Sequence, residues 1–457
     1  MKKFKILLLI LVFCPGYIFS QQKEWTLEEC VRYAIENNIQ IKQQVVQTKY
    51  QKNALDLAKL NLLPTLNGSA SQNFSFRRTF DQSTFQYSNQ NGRSNYFDFR
   101  GSLNLFNGFQ NYNSIRKYSY EVLAGEQDLQ SIKDNIALTV ALGYLQILLN
   151  KELVAATDGQ LQITLQQIEK TRKLVEAGSS ARGNLLQIEA QAAQEELQLI
   201  NLQNQLETSY LNLTQLLELQ SPTGFEIVTP EITVDTNSVI TGNIDDIFNI
   251  AQGNRPEVKS SELKLTASEY DLKIARGGRS PRLTMSNSFS TSYVNTTKKL
   301  LGLDPVTSMP IYGDYNFTDQ INDNLNYGLS LSLSIPILNG WQVNKNISNS
   351  KLAIENNQYA LEGTKKQLYK NIQQAYSDAV AALKKYNASR KAVTSSEESF
   401  RYSEQKFNVG LVTPIDYNAA KTQLLNAQSD LAQAKYEYVF KTKVLDFYKG
   451  IPINLPQ

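Results

Sequence analysis

The feature that most constrains this chain is that its sequence is written twice. Ala34, Asn37 and Pro64 recur as Ala251, Asn254 and Pro281, an offset of 217 residues. Further on, Asn107-Gly108 recurs as Asn339-Gly340 and Gly178 as Gly410, an offset of 232. The 15-residue difference falls between Pro64 and Gly108 in one copy and between Pro281 and Gly340 in the other. Length tolerance belongs to surface loops, so each of these stretches is expected to contain one.

Heptads test the alignment independently. Val140, Ile147, Val154, Leu161, Ile168 and Val175 map by the same offset onto Ile372, Ala379, Tyr386, Val393, Phe400 and Phe407, apolar at every step. Leu185, Ala192, Leu199, Leu206 and Leu213 map onto Tyr417, Leu424, Leu431, Tyr438 and Leu445. Two helices per copy thus carry coiled-coil seams in matching register. Either helix alone would pass for a core stripe of an ordinary bundle; long helices duplicated in step would not.

Each copy reads as a short helix, two strands, a long helix, a turn and another short helix. In the first copy these lie near 27–62, 66–76, 97–106, 112–176 and 184–219, and the two repeats run from about 27–220 and 244–448. The long helix spans roughly 95–100 Å at 1.5 Å per residue. The two short helices together approach that length, which predicts a tall, thin object.

The strand segments, in hairpins expected over 64–106 and 281–338, alternate with period two. Leu66, Gly68, Ala70, Phe74 and Phe76 share one face, interrupted by Gln72, while Asn67, Ser69, Ser71, Asn73 and Ser75 share the other. Phe97, Phe99, Leu103 and Leu105 alternate with Asp98, Arg100, Ser102 and Asn104. The second copy repeats the pattern with Leu283, Met285, Phe289 and Tyr293, then Tyr327, Leu329, Leu331, Leu333 and Ile335. About ten residues of apolar-out, polar-in alternation suits a membrane strand beside a wet lumen, although a half-buried soluble sheet alternates in the same way. Four strands cannot close around water, and open edges are not tolerated in lipid, so several subunits must complete one barrel. The connections near 77–95 and 294–325 read as long polar loops suited to the extracellular side.

The N-terminus decides between the two settings. Lys2, Lys3 and Lys5, an apolar run Ile6 to Phe13 and the small Ser20 make residues 1–20 a secretory signal peptide. Bulky Phe13 before Cys14 disfavours lipidation of that cysteine. Removing three Lys lowers Lys+Arg from 46 to 43, equal to the 43 Asp+Glu. A neutral chain without a basic tract does not point to nucleic acid. Cys30 alone survives processing, so no disulfide forms within residues 21–457, and it reads as a small buried apolar residue. With no His, the commonest metal ligand and acid–base group is missing, and no catalytic, cofactor or metal constellation stands out. The apolar run Val140 to Leu149 is too short to cross a bilayer as a helix, which leaves β-strands for any crossing.

With these pieces in order, the chain resembles the TolC-like outer membrane efflux proteins across essentially all of its mature sequence. The resemblance rests on Leu62-Leu63-Pro64 before a strand, Leu105-Phe106-Asn107-Gly108 entering the long helix, and its echo Ile337-Leu338-Asn339-Gly340. The turn segments Val175-Glu176-Ala177-Gly178 and Phe407-Asn408-Val409-Gly410 complete it. It implies a mixed α/β membrane protein: a homotrimer with a 12-stranded outer-membrane β-barrel continued by a periplasmic α-helical coiled-coil barrel. It also implies docking to a periplasmic adaptor protein and an inner-membrane pump, in the outer membrane of a Gram-negative-type bacterium. An equatorial region would use 221–243, where Pro222, Gly224 and Pro230 break the helices, and the C-terminal tail.

The resemblance places a closed periplasmic tip at the turns after the long helices. Where the best-known members carry Tyr and Arg in a polar lock, this chain has Phe407 and Val412. Asp416 matches one acidic ring position and Ala419 replaces the other. The tip is therefore expected to close by apolar packing around Phe400, Phe407 and Tyr417, with Asp416 facing the pore. The adaptor is expected at 175–186 and 407–418, on turns marked by Gly178, Asn184, Gly410 and Thr413.

Local chemistry offers plainer readings of the same residues. Gly178-Ser-Ser-Ala-Arg-Gly183 superficially looks like a phosphate loop, but Asn184-Leu185 follow where Lys and Ser/Thr are required. Gly178 and Gly410 read as helix-ending residues at positive φ, and Thr413-Pro414-Ile415-Asp416 as a helix start. Of the functions compatible with the pattern, a passive export duct is preferred to a structural periplasm-spanning coiled coil, which needs no amphipathic strands.

Overall fold

The computed structural model describes residues 24–81, 85–230 and 243–451. The expected signal peptide, part of the expected equatorial segment and the last six residues of the tail lie outside them. Elements follow in the order β1 (Glu24–Trp25), α1 (Leu27–Asn37), α2 (Ile39–Leu60), β2 (Thr65–Asp81), β3 (Gln86–Phe106), α3 (Gln110–Glu176), α4 (Arg182–Leu216) and β4 (Glu226–Ile227). The second copy supplies α5 (Ile244–Asn254), α6 (Pro256–Gly277), β5 (Arg282–Val294), β6 (Lys298–Leu303), β7 (Pro310–Asp314), α7 (Phe317–Asp323), β8 (Asn326–Ser334), α8 (Gln342–Asn408) and α9 (Pro414–Tyr448).

The duplication is carried to the residue. α3 and α8 both have 67 residues, and α4 and α9 both have 35. α1 and α5 have 11, and α2 and α6 have 22. The stretch expected to be one helix over 27–62 is broken at Asn38. Its amide side chain donates to Leu216 O and its Oδ1 accepts from Gln40 N, which holds the extended kink. The equivalent break at Arg255 precedes Pro256, whose ring pushes the preceding residue into the extended region (φ −68°, ψ 128°).

The copies differ in their strands. β2 and β3 run 17 and 21 residues and pair from Thr65–Ser102 to Asp81–Gln86, so most of the expected loop 77–95 is paired strand. Ser/Asn/Gln-rich sequence obscures the alternation there, while the backbone ladder and the aromatic pair Phe80–Tyr87 (5.1 Å) continue it. β5 and β8 run only 13 and 9 residues, and the region expected as a second polar loop folds into the β6–β7 hairpin and α7.

The chain divides into two compact units, each drawing on both copies. The first (24–43, 131–255, 368–451 of the described residues) holds the heptad helices. Every seam position named above is buried or half-buried, and Leu161, Ile168, Ile188, Ala192 and Leu199 form one α3–α4 cluster. An 18-residue window of α3 reaches a mean hydropathy of 1.3, enough by length and composition to cross a membrane. Val140, Ile147 and Leu148 in that helix are core side chains, at most 1% exposed. The same unit contains a parallel β1–β4 pair tied by Tyr144, whose hydroxyl donates to Val228 O at 2.6 Å. The N-terminal strand of this pair is absent from the sequence reading.

The second unit (44–130, 256–367) holds a four-stranded antiparallel sheet in the order β2-β3-β5-β8. β2 and β8 are its open edges.

Candidate functional site

Two places carry the candidate function: the sheet and the helical turns. In the sheet, register decides which side chains share a face. Gly68, Phe99, Phe289 and Tyr327 lie on one hydrogen-bonded row, and the three rings contact in sequence at 6.3 and 5.2 Å. Leu103, Met285 and Leu331 form a second row on the same face. Leu329, Leu331 and Leu333 are 61–78% exposed, an apolar surface with no protein cover in the subunit. Asn287 interrupts this face over Gly101, where a Cβ would collide with its Oδ1.

The opposite face is hydroxyl- and amide-lined. Asn67, Arg100 and Ser288 share one row, and Ser69, Asp98, Ser290 and Asn326 another. Its ion pair joins Arg100 Nε to the buried Asp98 carboxylate at 2.9 Å. An apolar face backed by this polar one suits a sheet between lipid and water.

The helical turns repeat one backbone device. α3 ends with Ser179 N–H donating to Leu174 O and Gly178 N–H to Val175 O. α8 ends identically, with Leu411 N–H on Lys406 O and Gly410 N–H on Phe407 O. Both glycines take positive φ, +75° and +76°, as their C-capping role requires. Thr413 caps α9, its hydroxyl accepting from Asp416 N while the Asp416 carboxylate accepts from Thr413 N, with Pro414 in the first turn. α4 lacks a side-chain cap, and Asn184 there is half-buried, its amide donating to Ser180 Oγ at 3.3 Å.

Above the second turn, Tyr417 is buried and stacks on Phe407 with centroids 4.7 Å apart, with Phe400 at 5.5 Å. Burial raises the phenol's pKa. Val412 is half-buried and Asp416 exposed. Lys170 Nζ donates to Asn408 Oδ1 at 3.0 Å, linking α3 to the end of α8. A groove of about 750 Å³ lies between α4, α8 and α9, lined by Gln187, Gln191, Ser396, Asn418 and Thr422 among others.

One feature here is absent from the sequence reading. Lys421 of α9 and Glu195 of α4 are 3% and 4% exposed and form an ion pair at 3.3 Å. Thr164 of α3 accepts from the ammonium and donates to the carboxylate. Lys421 also donates to Gln160 O, and Gln191 Nε2 donates to Glu195 at 3.0 Å. Burial lowers the Lys421 pKa, and Glu195 opposes that shift. The available signal is a second, polar heptad: Asn150, Thr157, Thr164 and Thr171 are all buried at seven-residue spacing.

Comparison with known proteins agrees with this architecture. A family profile described as "Outer membrane efflux protein" matches residues 31–218 and 247–447, one segment per copy. No curated protein sequence matches the chain. Among solved structures, the outer membrane protein VceC of Vibrio cholerae superposes with a TM-score of 0.75 at 16% identity, covering 94% of this chain and 97% of that one. The CmeC outer membrane channel of Campylobacter jejuni gives 0.77 at 16%, covering 93% and 85%. The MtrE outer membrane channel of Neisseria gonorrhoeae gives 0.68 at 17%, covering 93% and 88%.

Proposed function

Because this chain belongs to the outer membrane efflux protein family, a family of outer-membrane channels, we propose that three copies of it assemble into a passive duct serving a tripartite efflux or secretion system. The observation that carries the reading is the four-stranded sheet with two open edges, one apolar face and one hydroxyl-lined face. Such a sheet cannot rest in lipid with its edges unpaired. Closing β8 of each subunit on β2 of the next joins the three sheets edge to edge and gives twelve strands around a polar lumen.

The heptad helices then continue the duct into the periplasm. A periplasmic adaptor, itself engaged with an inner-membrane pump, docks at the turns over 175–186 and 407–418. Gly178 and Gly410 set the turn shape there, Thr413 caps α9, and Asn184 ties the first turn of α4 to Ser180. The groove beside them is open to a helical hairpin. Phe407, Val412, Asp416 and Tyr417 form the closing tip, with aromatic packing holding it shut and three Asp416 carboxylates favouring cations. The test is the mass of detergent-extracted protein. Three times the mature chain, with a heat-modifiable gel shift, is expected; a stable monomer with intact strands overturns the reading.

A further inference from the structure

The two open edges of the sheet differ in length: β2 runs 17 residues and β8 only 9. When they close on one another, at least eight residues of β2 therefore find no partner in β8 of the next subunit. β2 starts at the end of the sheet where α2 enters and β8 finishes at the end where α8 leaves, so the two strands share that helical end when they pair antiparallel. The surplus of β2 lies toward Asp81. There β2 and β3 form a ribbon that projects past the last β5 pairing at Val294. Phe74, Phe76 and Phe80 on this ribbon are 42–78% exposed. A projecting edge with uncovered aromatics invites another chain.

The second copy has shorter strands and, beyond them, the β6–β7 hairpin and α7. α7 is pinned to the end of β5. The buried Gln320 side chain accepts from Val294 N and donates to Val294 O and Tyr315 O. Thr291 Oγ1 donates to Ile321 O at 2.6 Å, and Phe317 packs on Phe97 and Tyr293. α7 ends at Asp323 and β8 begins at Asn326, so the hairpin is held at the head of β8. That is the side on which the next subunit's β2 arrives. Leu300, Leu301, Leu303, Ile311 and Tyr312 of the hairpin are 44–65% exposed.

We propose that the β6–β7 hairpin of one subunit packs on the projecting end of β2 in the next subunit, the partner being a second copy of this chain. The inference rests on the trimer proposed above and continues its β8–β2 seam beyond the last β8 residue. The inserted hairpin does for the long edge what the short β8 cannot: it covers apolar side chains and shields unpaired backbone. Two apolar surfaces left open in the subunit are removed by one contact.

The experiment is inter-subunit crosslinking of the full chain in native outer membranes. Cysteines replace Phe74, Phe76 or Phe80 on β2, each combined with Leu301→Cys or Ile311→Cys on the hairpin. Cys30 does not interfere, being fully buried with its thiol pushed up to about 12. Oxidation or a short bismaleimide is expected to give covalent dimer and trimer bands for at least one pair, and none for either single variant. An oxygen-accessibility measurement on a spin label at Leu301 accompanies it, and the label is expected to be shielded from lipid-dissolved oxygen. Trimers without any crosslink, or a Leu301 label open to lipid, overturn this inference and leave the trimer standing. Monomers in the same membranes overturn both.

Discussion

Removing the Lys421 ammonium is expected to cost more than removing the whole ion pair. Lys421 and Glu195 are almost entirely buried and 3.3 Å apart. Their attraction is about 5 kcal/mol at an effective dielectric of 20. Desolvating two charges costs several kcal/mol per ion, so the intact pair contributes little net stability. Lys421→Met leaves the Glu195 carboxylate buried with Thr164 and Gln191 as its remaining partners. Such a stranded charge costs about 3–5 kcal/mol. The double variant Lys421→Met/Glu195→Met strands nothing and is expected within about 1 kcal/mol of the parent, or above it. Thermal unfolding in detergent reads this as an apparent Tm loss of roughly 5–10 °C for the single variant, largely restored in the double.

The pH dependence of the same pair has a definite sign. The Lys421 pKa is lowered from 10.5 in the folded protein, so the unfolded chain binds more protons between the folded value and 10.5. Stability contributed at this site therefore rises as pH climbs through that window. Tyrosines of the same helix with raised values, Tyr417 and Tyr436, act in the opposite direction above pH 10. The parent-minus-Lys421→Met difference isolates the lysine. Equal losses in both single variants that simply add in the double, or a parent advantage falling with pH below 10.5, refute the reasoning.

Four further substitutions test the turns and the proposed tip. Gly178→Val or Gly410→Val puts a β-branched residue at φ near +75°, a strain of about 1–3 kcal/mol with no steric clash to confuse it, since nothing lies within 4 Å of either Cβ. Export in cells is expected to fall while the barrel still assembles on gels. Phe407→Ala removes the ring stacked on Tyr417 and is expected to raise resting conductance in planar bilayers with little change in selectivity. Asp416→Asn is expected to lower cation preference with little change in resting conductance. Trimer yield is measured alongside, because the carboxylate also closes the α9 capping box.

Much of the fold was legible because duplication turns weak local signals into paired ones. The offsets of 217 and 232 read from Ala34, Asn37, Asn107 and Gly178 are the offsets between the starts of α1 and α5, α2 and α6, α3 and α8, and α4 and α9. Glycine made the helix ends readable, since Gly178 and Gly410 supply the positive φ that their caps demand. The reading went wrong where the copies diverge. Residues 77–95 looked like a loop because strand pairing there depends on backbone bonds to the partner strand, which composition does not record. The insertion after β5 looked polar, yet it carries the exposed Leu300, Leu301 and Leu303. Its Gln320, a loop residue by composition, is 1% exposed and anchors three backbone groups.

The turn after α8 was legible one residue type at a time but not as a set. Phe407 and Tyr417 announce themselves as an aromatic pair at seam positions, and Thr413-Pro414-Ile415-Asp416 announces a helix start. Lys421 and Glu195 do not, because on either helix alone each reads as an ordinary solvated charge. They become a buried pair only when α3, α4 and α9 converge on Thr164. Seam arithmetic that counts only apolar positions passes over such a site. Had the heptad been scored for buried small polar residues as well, Asn150, Thr157, Thr164 and Thr171 would have marked the stripe. Polar partners across that stripe would then have been sought, and Asn150 does bond Ser209 at 2.5 Å, two heptads from the ion pair. The region above the second turn therefore joins an aromatic stack that the sequence exposes to a buried charge pair that only packing assembles.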